Sequence, residues 1–383
     1  MKKEPPLKPG RRATGHIVRM CFVFWICILL ISGCQREKAP IKIGFVSNLT
    51  GVSPALKAIN TRNGAIFAVD EINADGGIHG RKIELIVKDD RLDPETARKV
   101  NQELIREHVA AIVGPVRSEM CLVALPLASR ERLVLMSPFA SSNQLTGKDD
   151  FLFRINTPAS GTIMKTANYA YSRGLRKIAV VYDLENRNFS EPAFLYFKKY
   201  FEAMGGRVTV TTFTAGKDVS YPNLVGELMR SRPDGYYIIA TPVDSAMICQ
   251  HLRKKDSIHP VLLTGWAFHP DLLKQGGKAV EGVVLAHAFQ PDSKAPAFLQ
   301  FQDEFFKRYK TIPETWETFG YEAVMVLAQA LSQNPDPKRL KETILAMKRF
   351  KGLQGDIVFD RYGDNQREPF LLTIRKGAFV EIR

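Results

Sequence analysis

Apolar runs long enough to cross a bilayer are missing from this 383-residue chain. The most apolar stretch, Cys21 to Ile31, has eleven residues, against roughly 20 for a spanning helix. Cysteine is scarce, with five in all and no CxxC pair, and the seven histidines are scattered without an HExxH. A zinc site therefore has no sequence support. The acidic group "KDDRLD" (88–93) lacks the pattern of an EF-hand loop and reads better as a strand end followed by an N-cap. Basic residues fall in short groups, such as "RKK" (253–255) and "KRYK" (307–310), beside helical periodicity. With no basic stripe interleaved with aromatics, nucleic acid is not an expected partner. No G-x-S-x-G elbow and no nucleophile–base–orienter set appears, so no metal, cofactor or enzymatic chemistry is expected. Low-complexity tracts and internal repeats are also missing.

What is present begins at the N-terminus. Lys2, Lys3, Lys8, Arg11, Arg12 and Arg19 precede the apolar run. Eleven residues suit the core of a signal peptide, which runs about 7–15. The "ISGC" that ends it (31–34) resembles the bacterial lipobox. That resemblance implies a signal peptide at 1–33, lipidation of Cys34, a tether over 34–40, and a chain held at a membrane by its lipid and facing the periplasm. An uncleaved anchor helix is the alternative, and the run is short for one. In lipoprotein families an aspartate after the cysteine goes with inner-membrane retention; Gln35 stands there instead. The formal charge of +14 falls to +9 once residues 1–33 are set aside. Only Cys121 and Cys249 then remain beyond the anchor, and the lobe assignment below reads them as two buried free thiols.

From residue 41 strand and helix patterns alternate. "KIGFVS" (42–47), "KIELIVKDD" (82–90), "AAIVG" (110–114), "LVLMS" (133–137), "KIAVVYD" (177–183), "RVTVTTF" (207–213), "GYYIIA" (235–240) and "PVLLTG" (260–265) read as short, buried strands. Ala65, Ala68, Val69 and Ile72 share one helix face, and Gly76 and Gly77 stop that helix. Asp93 followed by Pro94 predicts a helix start. Near-continuous apolar strands alternating with helices predict α/β architecture with parallel sheets covered on both faces. The strands are too many for one sheet, so two doubly wound lobes are expected.

"EINADGGIHGRKIELIVKDDRLDPETARKV" (71–100) and "FKGLQGDIVFDRYGD" (350–364) resemble the type I periplasmic binding proteins of the leucine/isoleucine/valine class. "IVGPVRSEM" and "LMSPFASSNQLT" fall at the family's spacing, and the resemblance covers about 41–383. It implies two Rossmann-like lobes joined by three crossover strands, with a ligand cleft between them. Lobe one is expected over 41–156 plus 288–348, and lobe two over 157–287 plus 349–383.

Ligands sit off the carboxyl ends of strands in such sheets. Ser118 and the pair Ser141–Ser142 fall after two of those ends, where a helix start offers free N–H groups to a carboxylate. From the residues alone, ordinary N-capping is the favoured reading of both serines. The family resemblance implies that Ser118, Ala140 and Ser141 grip an α-carboxylate, the Ala140 carbonyl also helping with the ammonium. It also puts Phe189 and Trp316 where aromatics cover the pocket, although large aromatics are commonly core. Arg117 offers a charge-assisted contact to an anion. One departure stands out in "TGWAFHPD", where Ala267, beside Trp266, occupies the place of the family's ammonium-binding acid. Either Asp183, Glu185 or Asp244 substitutes, or the ligand lacks an ammonium.

The resemblance implies a lipoprotein that delivers a branched-chain amino acid or similar small carboxylate to the permease of an ABC importer. A regulatory lipoprotein contacting a cell-envelope enzyme is the alternative from another class. A receptor ectodomain is disfavoured, since no apolar span follows residue 40.

Overall fold

The computed structural model describes residues 1, 3, 4, 38–50, 55–216 and 219–382. Cys34, the signal segment and most of the tether lie outside the described residues. The first sheet contains β1 (Ile41–Ser47), β2 (Ile83–Asp89), β3 (Ala111–Val113), β4 (Val134–Ser137) and β5 (Leu152–Arg154), in the order β2-β1-β3-β4-β5. All its pairings are parallel. Helices α1 (Ala55–Ala74), α2 (Pro94–Arg106) and α3 (Ser118–Arg130) connect the strands and cover both faces. The start of α2 is fixed as expected: the Asp93 carboxylate accepts the Thr96 N–H at 2.7 Å.

The chain then enters the second lobe. Its elements are α4 (Ala159–Ser172), β6 (Lys177–Asp183), α5 (Arg187–Ala203), β7 (Arg207–Phe213), α6 (Tyr221–Arg230), β8 (Gly235–Ile239), α7 (Pro242–Lys255), β9 (Val261–Leu263), α8 (Pro270–Gly276) and β10 (Val284–His287). It returns to the first lobe for α9 (Pro296–Tyr309), α10 (Thr315–Gln333), α11 (Leu340–Met347) and the small hairpin β11 (Arg349–Phe350) and β12 (Ile357–Val358). It ends in the second with β13 (Phe370–Arg375) and β14 (Ala378–Glu381), giving the order β14-β13-β10-β9-β8-β6-β7. The fold is thus two doubly wound lobes, with the chain passing between the sheets at 155–158, 288–295 and 359–369.

Three expectations are corrected. The segment from 349 is expected in lobe two, yet Phe350, Leu353, Ile357 and Phe359 are buried in the core of the first lobe. Its glycine-rich turn folds back as a hairpin on that lobe, and the crossing comes about ten residues later. The second sheet is not wholly parallel, since β13 and β14 pair antiparallel at its edge. No helix opens at Ser141; only a 3₁₀ turn, Asn143–Leu145, follows. Cys121 and Cys249 are free and buried in cores of different lobes.

Two glycines set the mouth of the first lobe. A Cβ on Gly64 of α1 would overlap the Glu317 carbonyl of α10, and one on Gly320 of α10 would overlap the Thr61 carbonyl of α1. The bare backbones therefore let the two helices touch, which brings Lys57 on α1 to Trp316 on α10.

Candidate functional site

At the carboxyl end of the first sheet, two hydroxyls staple two loops together. The Ser118 Oγ accepts the N–H groups of Ser141 and Ser142, each at 3.2 Å. The buried Ser137 Oγ donates to the Pro115 carbonyl at 2.6 Å and accepts the Ala140 N–H at 3.1 Å. Ser118 is the first residue of α3, whose N-cap position is held by Arg117 without a side-chain bond. Ser142, and not Ser141, caps the following turn through the Gln144 N–H. The expected serines are thus brought together, but as a loop-to-loop staple, not as two caps. Ala140 is fully buried beneath them. Arg117 is exposed and paired with Glu119 at 3.0 Å. Ser137 was missed; its signal was a lone hydroxyl ending an apolar strand.

Aromatic side chains line both lobes. Trp316 stacks on Phe139, the neighbour of Ala140, with centroids 4.1 Å apart. The Lys57 Nζ stands 4.9 Å from the Trp316 ring centroid. On the second lobe Phe189 meets Trp266 edge-on at 5.4 Å. Phe268, two positions further on, packs against the cores of both lobes. Trp316 thus joins the serine loops through Phe139, and Phe189 joins Trp266. Lys57, Phe139 and Phe268 carried no sequence signal, because their proximity comes only from helix crossing and lobe apposition.

The acid question changes. Ala267 is fully buried within the second lobe's core, so its methyl does not stand in for a ligand-facing carboxylate. Of that turn's aromatics, Trp266 meets Phe189 and Phe268 packs on the cores of both lobes. Asp183 is committed to the loops after β6 and β7, accepting the Glu185 N–H at 2.9 Å and the Ala215 N–H at 3.0 Å. The Asp244 carboxylate accepts the Tyr221 hydroxyl at 2.7 Å and the Thr241 hydroxyl, and Thr241 caps α7 by accepting the Asp244 N–H at 3.1 Å. Glu185 is exposed. The acids that face the cleft charges are others. Asp271 sits 3.1 Å from the His269 Nδ1 and acts across the lobes on Lys57. Glu314 is engaged in the capping box of α10. Burial, with Arg117 nearby, holds the Lys57 amine below its ordinary range. Burial and the Lys57 charge likewise lower His269. Ser47 at the end of β1 and Thr264 just after β9 add buried hydroxyls with no protein hydrogen-bond partner. A separate open groove of about 340 Å³, which includes Phe213, Ser220 and Glu227, shares no residue with this cleft.

Two doubly wound lobes joined by three passages of the chain, with an N–H-rich loop pair at the carboxyl end of the first sheet, are the architecture of a bilobal binding fold. A family model described as periplasmic binding protein matches residues 40–378, and the chain belongs to that family, in its type I leucine/isoleucine/valine class. A leucine-, isoleucine-, valine-, threonine- and alanine-binding protein of Pseudomonas aeruginosa is 24% identical over 341 residues, covering 86% of this chain and 88% of that one. A branched-chain amino acid transporter substrate-binding protein of Streptococcus pneumoniae, solved with isoleucine, aligns with a TM-score of 0.76 at 23% identity over 90% of this chain and 99% of that one. A solute-binding protein from R. palustris, solved with benzoate, aligns with a TM-score of 0.73 at 19% identity over 90% and 95%. At these identities the solved structures speak for the fold.

Proposed function

We propose that this chain is the substrate-binding component of an ABC importer and holds a branched-chain amino acid or similar small carboxylate between its lobes, without chemical turnover. The observation that carries this reading is the serine staple. The Ser118 hydroxyl and the N–H groups of Ser141 and Ser142 meet at the N-terminus of α3. Such N–H groups and a hydroxyl at a positive helix end suit an anionic oxygen. A carboxylate would take these donors in place of the bond within the staple. In this reading Ser118, Ala140 and Ser141 face the carboxylate, Arg117 adds positive charge, and Phe189, Trp266 and Trp316 enclose the apolar part. The names of its relatives support the branched-chain class, and the benzoate complex supports a second reading, an aromatic or aliphatic acid without an ammonium. A thermal-shift screen of amino acids and small organic acids tests the function. A carboxylate should raise the melting temperature, and Ser118→Ala combined with Ser141→Ala should weaken its binding while the protein stays folded. Unchanged affinity in the folded double variant would overturn the assigned site.

The reading includes a lipid anchor on Cys34 after removal of 1–33, with the following residues as a tether. The apolar run ending in "ISGC" supports it. A Cys34→Ser variant should stay uncut or leave the membrane fraction. If it matures and fractionates like the parent, the anchor is not there.

A further inference from the structure

Lys57 is an unusual group to find at the mouth of this cleft. Its amine lies over the Trp316 ring at 4.9 Å and is half-buried. Among the described residues no carboxylate stands within ion-pair distance of it. Its strongest charged neighbour is a second cation, Arg117, which immediately precedes Ser118, and Asp271 of the other lobe acts on it only at longer range. Asp271 is itself engaged with His269 at 3.1 Å, and Glu314 caps its own helix. Arg117 is itself paired with Glu119 at 3.0 Å, so the half-buried Lys57 ammonium is the cation left without a salt bridge, and such a charge is stabilised by an anion brought to it. The Trp316 face offsets part of that cost through its quadrupole and also fixes where the amine stands.

We infer that Lys57 is a specificity-determining residue, selecting small acids that carry a carboxylate and no ammonium group. The inference rests on the proposed solute-binding function and decides between its two ligand classes. A carboxylate held by the Ser118 and Ser141 loops lies on the side of the cleft where Lys57 and Arg117 add favourable charge. An α-ammonium, one bond from the carbon bearing that carboxylate, is brought to the same side and meets the two cations. The Phe189–Trp266 pair then receives the apolar remainder of the molecule. The ligand class is therefore the 2-oxo acids of branched aliphatic chains and the benzoates, ahead of the amino acids themselves.

The test is calorimetry on the purified full-length protein with leucine, 4-methyl-2-oxopentanoate and benzoate. Three forms are compared: the parent, Lys57→Met, which keeps the aliphatic stem over Trp316, and Asp271→Asn. The expected result is that at least one of the two acids binds the parent more tightly than leucine does. Lys57→Met should weaken that acid tenfold or more while leaving leucine unchanged or improved. Asp271→Asn should leave the acid within about threefold. If leucine binds more tightly than its des-amino analogue and Asp271→Asn abolishes leucine binding, Asp271 holds an ammonium and the inference is overturned. It is equally overturned if Lys57→Met leaves the acids within twofold; in both cases the solute-binding function stands. If none of the three binds the folded parent protein, the small-carboxylate function itself falls and takes this inference with it.

Discussion

Arg154 ties the candidate ligand loop to the third crossing of the chain. Its guanidinium is fully buried and bonds the Asp364 carboxylate, the Ser142 carbonyl at 3.0 Å and the Thr146 hydroxyl at 2.9 Å. Asp364 in turn accepts the Gly147 N–H at 2.8 Å. Two charges so deeply buried have lost most of their hydration, and each depends on the other. Asp364→Ala leaves a buried guanidinium without its counter-charge and should cost about 3–5 kcal/mol, read from urea unfolding. Adding Arg154→Met should recover part of the loss, because the orphaned charge goes with it. A single variant within about 1 kcal/mol of the parent would show that water reaches this site. The same pair supports the loop at Ser142, so ligand affinity should drop in Asp364→Ala along with stability.

Among the elements, α1 is the busiest, and its outer turns carry a titratable contact. Glu71 lies against Tyr321 of α10 and Glu304 of α9, and burial together with the second carboxylate raises it to about 7. The folded state therefore holds a proton that the unfolded chain, with an ordinary glutamate near 4.5, gives up. Stability is lost as pH rises through that window. The partly buried His287, lowered to about 4 by desolvation, acts in the opposite direction, because it resists the proton that the unfolded chain accepts below about 6.5. The Glu71 effect is isolated as the difference between the parent and Glu71→Gln. The variant should gain stability over the parent between about pH 5 and pH 8, and a constant difference would rule the shift out. Much at this scale was legible in the sequence. The apolar run "KIAVVYD" gives β6 with both ends right, and Asp93–Pro94 opens α2. Missed elements include β5, with three residues, and β14 at the sheet edge with its antiparallel neighbour β13; β10, though apolar and largely buried, was missed as well. The site was half legible. Serines at strand ends have a chemical reason to be noticed, whereas the place of Lys57 depends on Gly64 and Gly320 letting two helices touch that are far apart in sequence.

For the whole molecule, the three passages between sheets mean that neither lobe is a continuous piece of chain. The first lobe has its sheet by residue 154 but lacks α9, α10 and α11, which bury the Phe67 side of α1. The second has its parallel strands by residue 287 but lacks the edge pair beyond 369 that covers β10. A chain truncated after His287 should therefore be degraded rapidly by a protease that leaves the intact protein whole. Survival of a resistant fragment spanning 155–287 would show that the second lobe folds by itself. The arrangement bears on timing. Synthesis and threading both deliver the N-terminal end first, and contacts spanning hundreds of residues cannot form until the last of them has emerged. A polypeptide laid out in this order stays pliable for most of its passage through any narrow channel and locks into shape only near the finish.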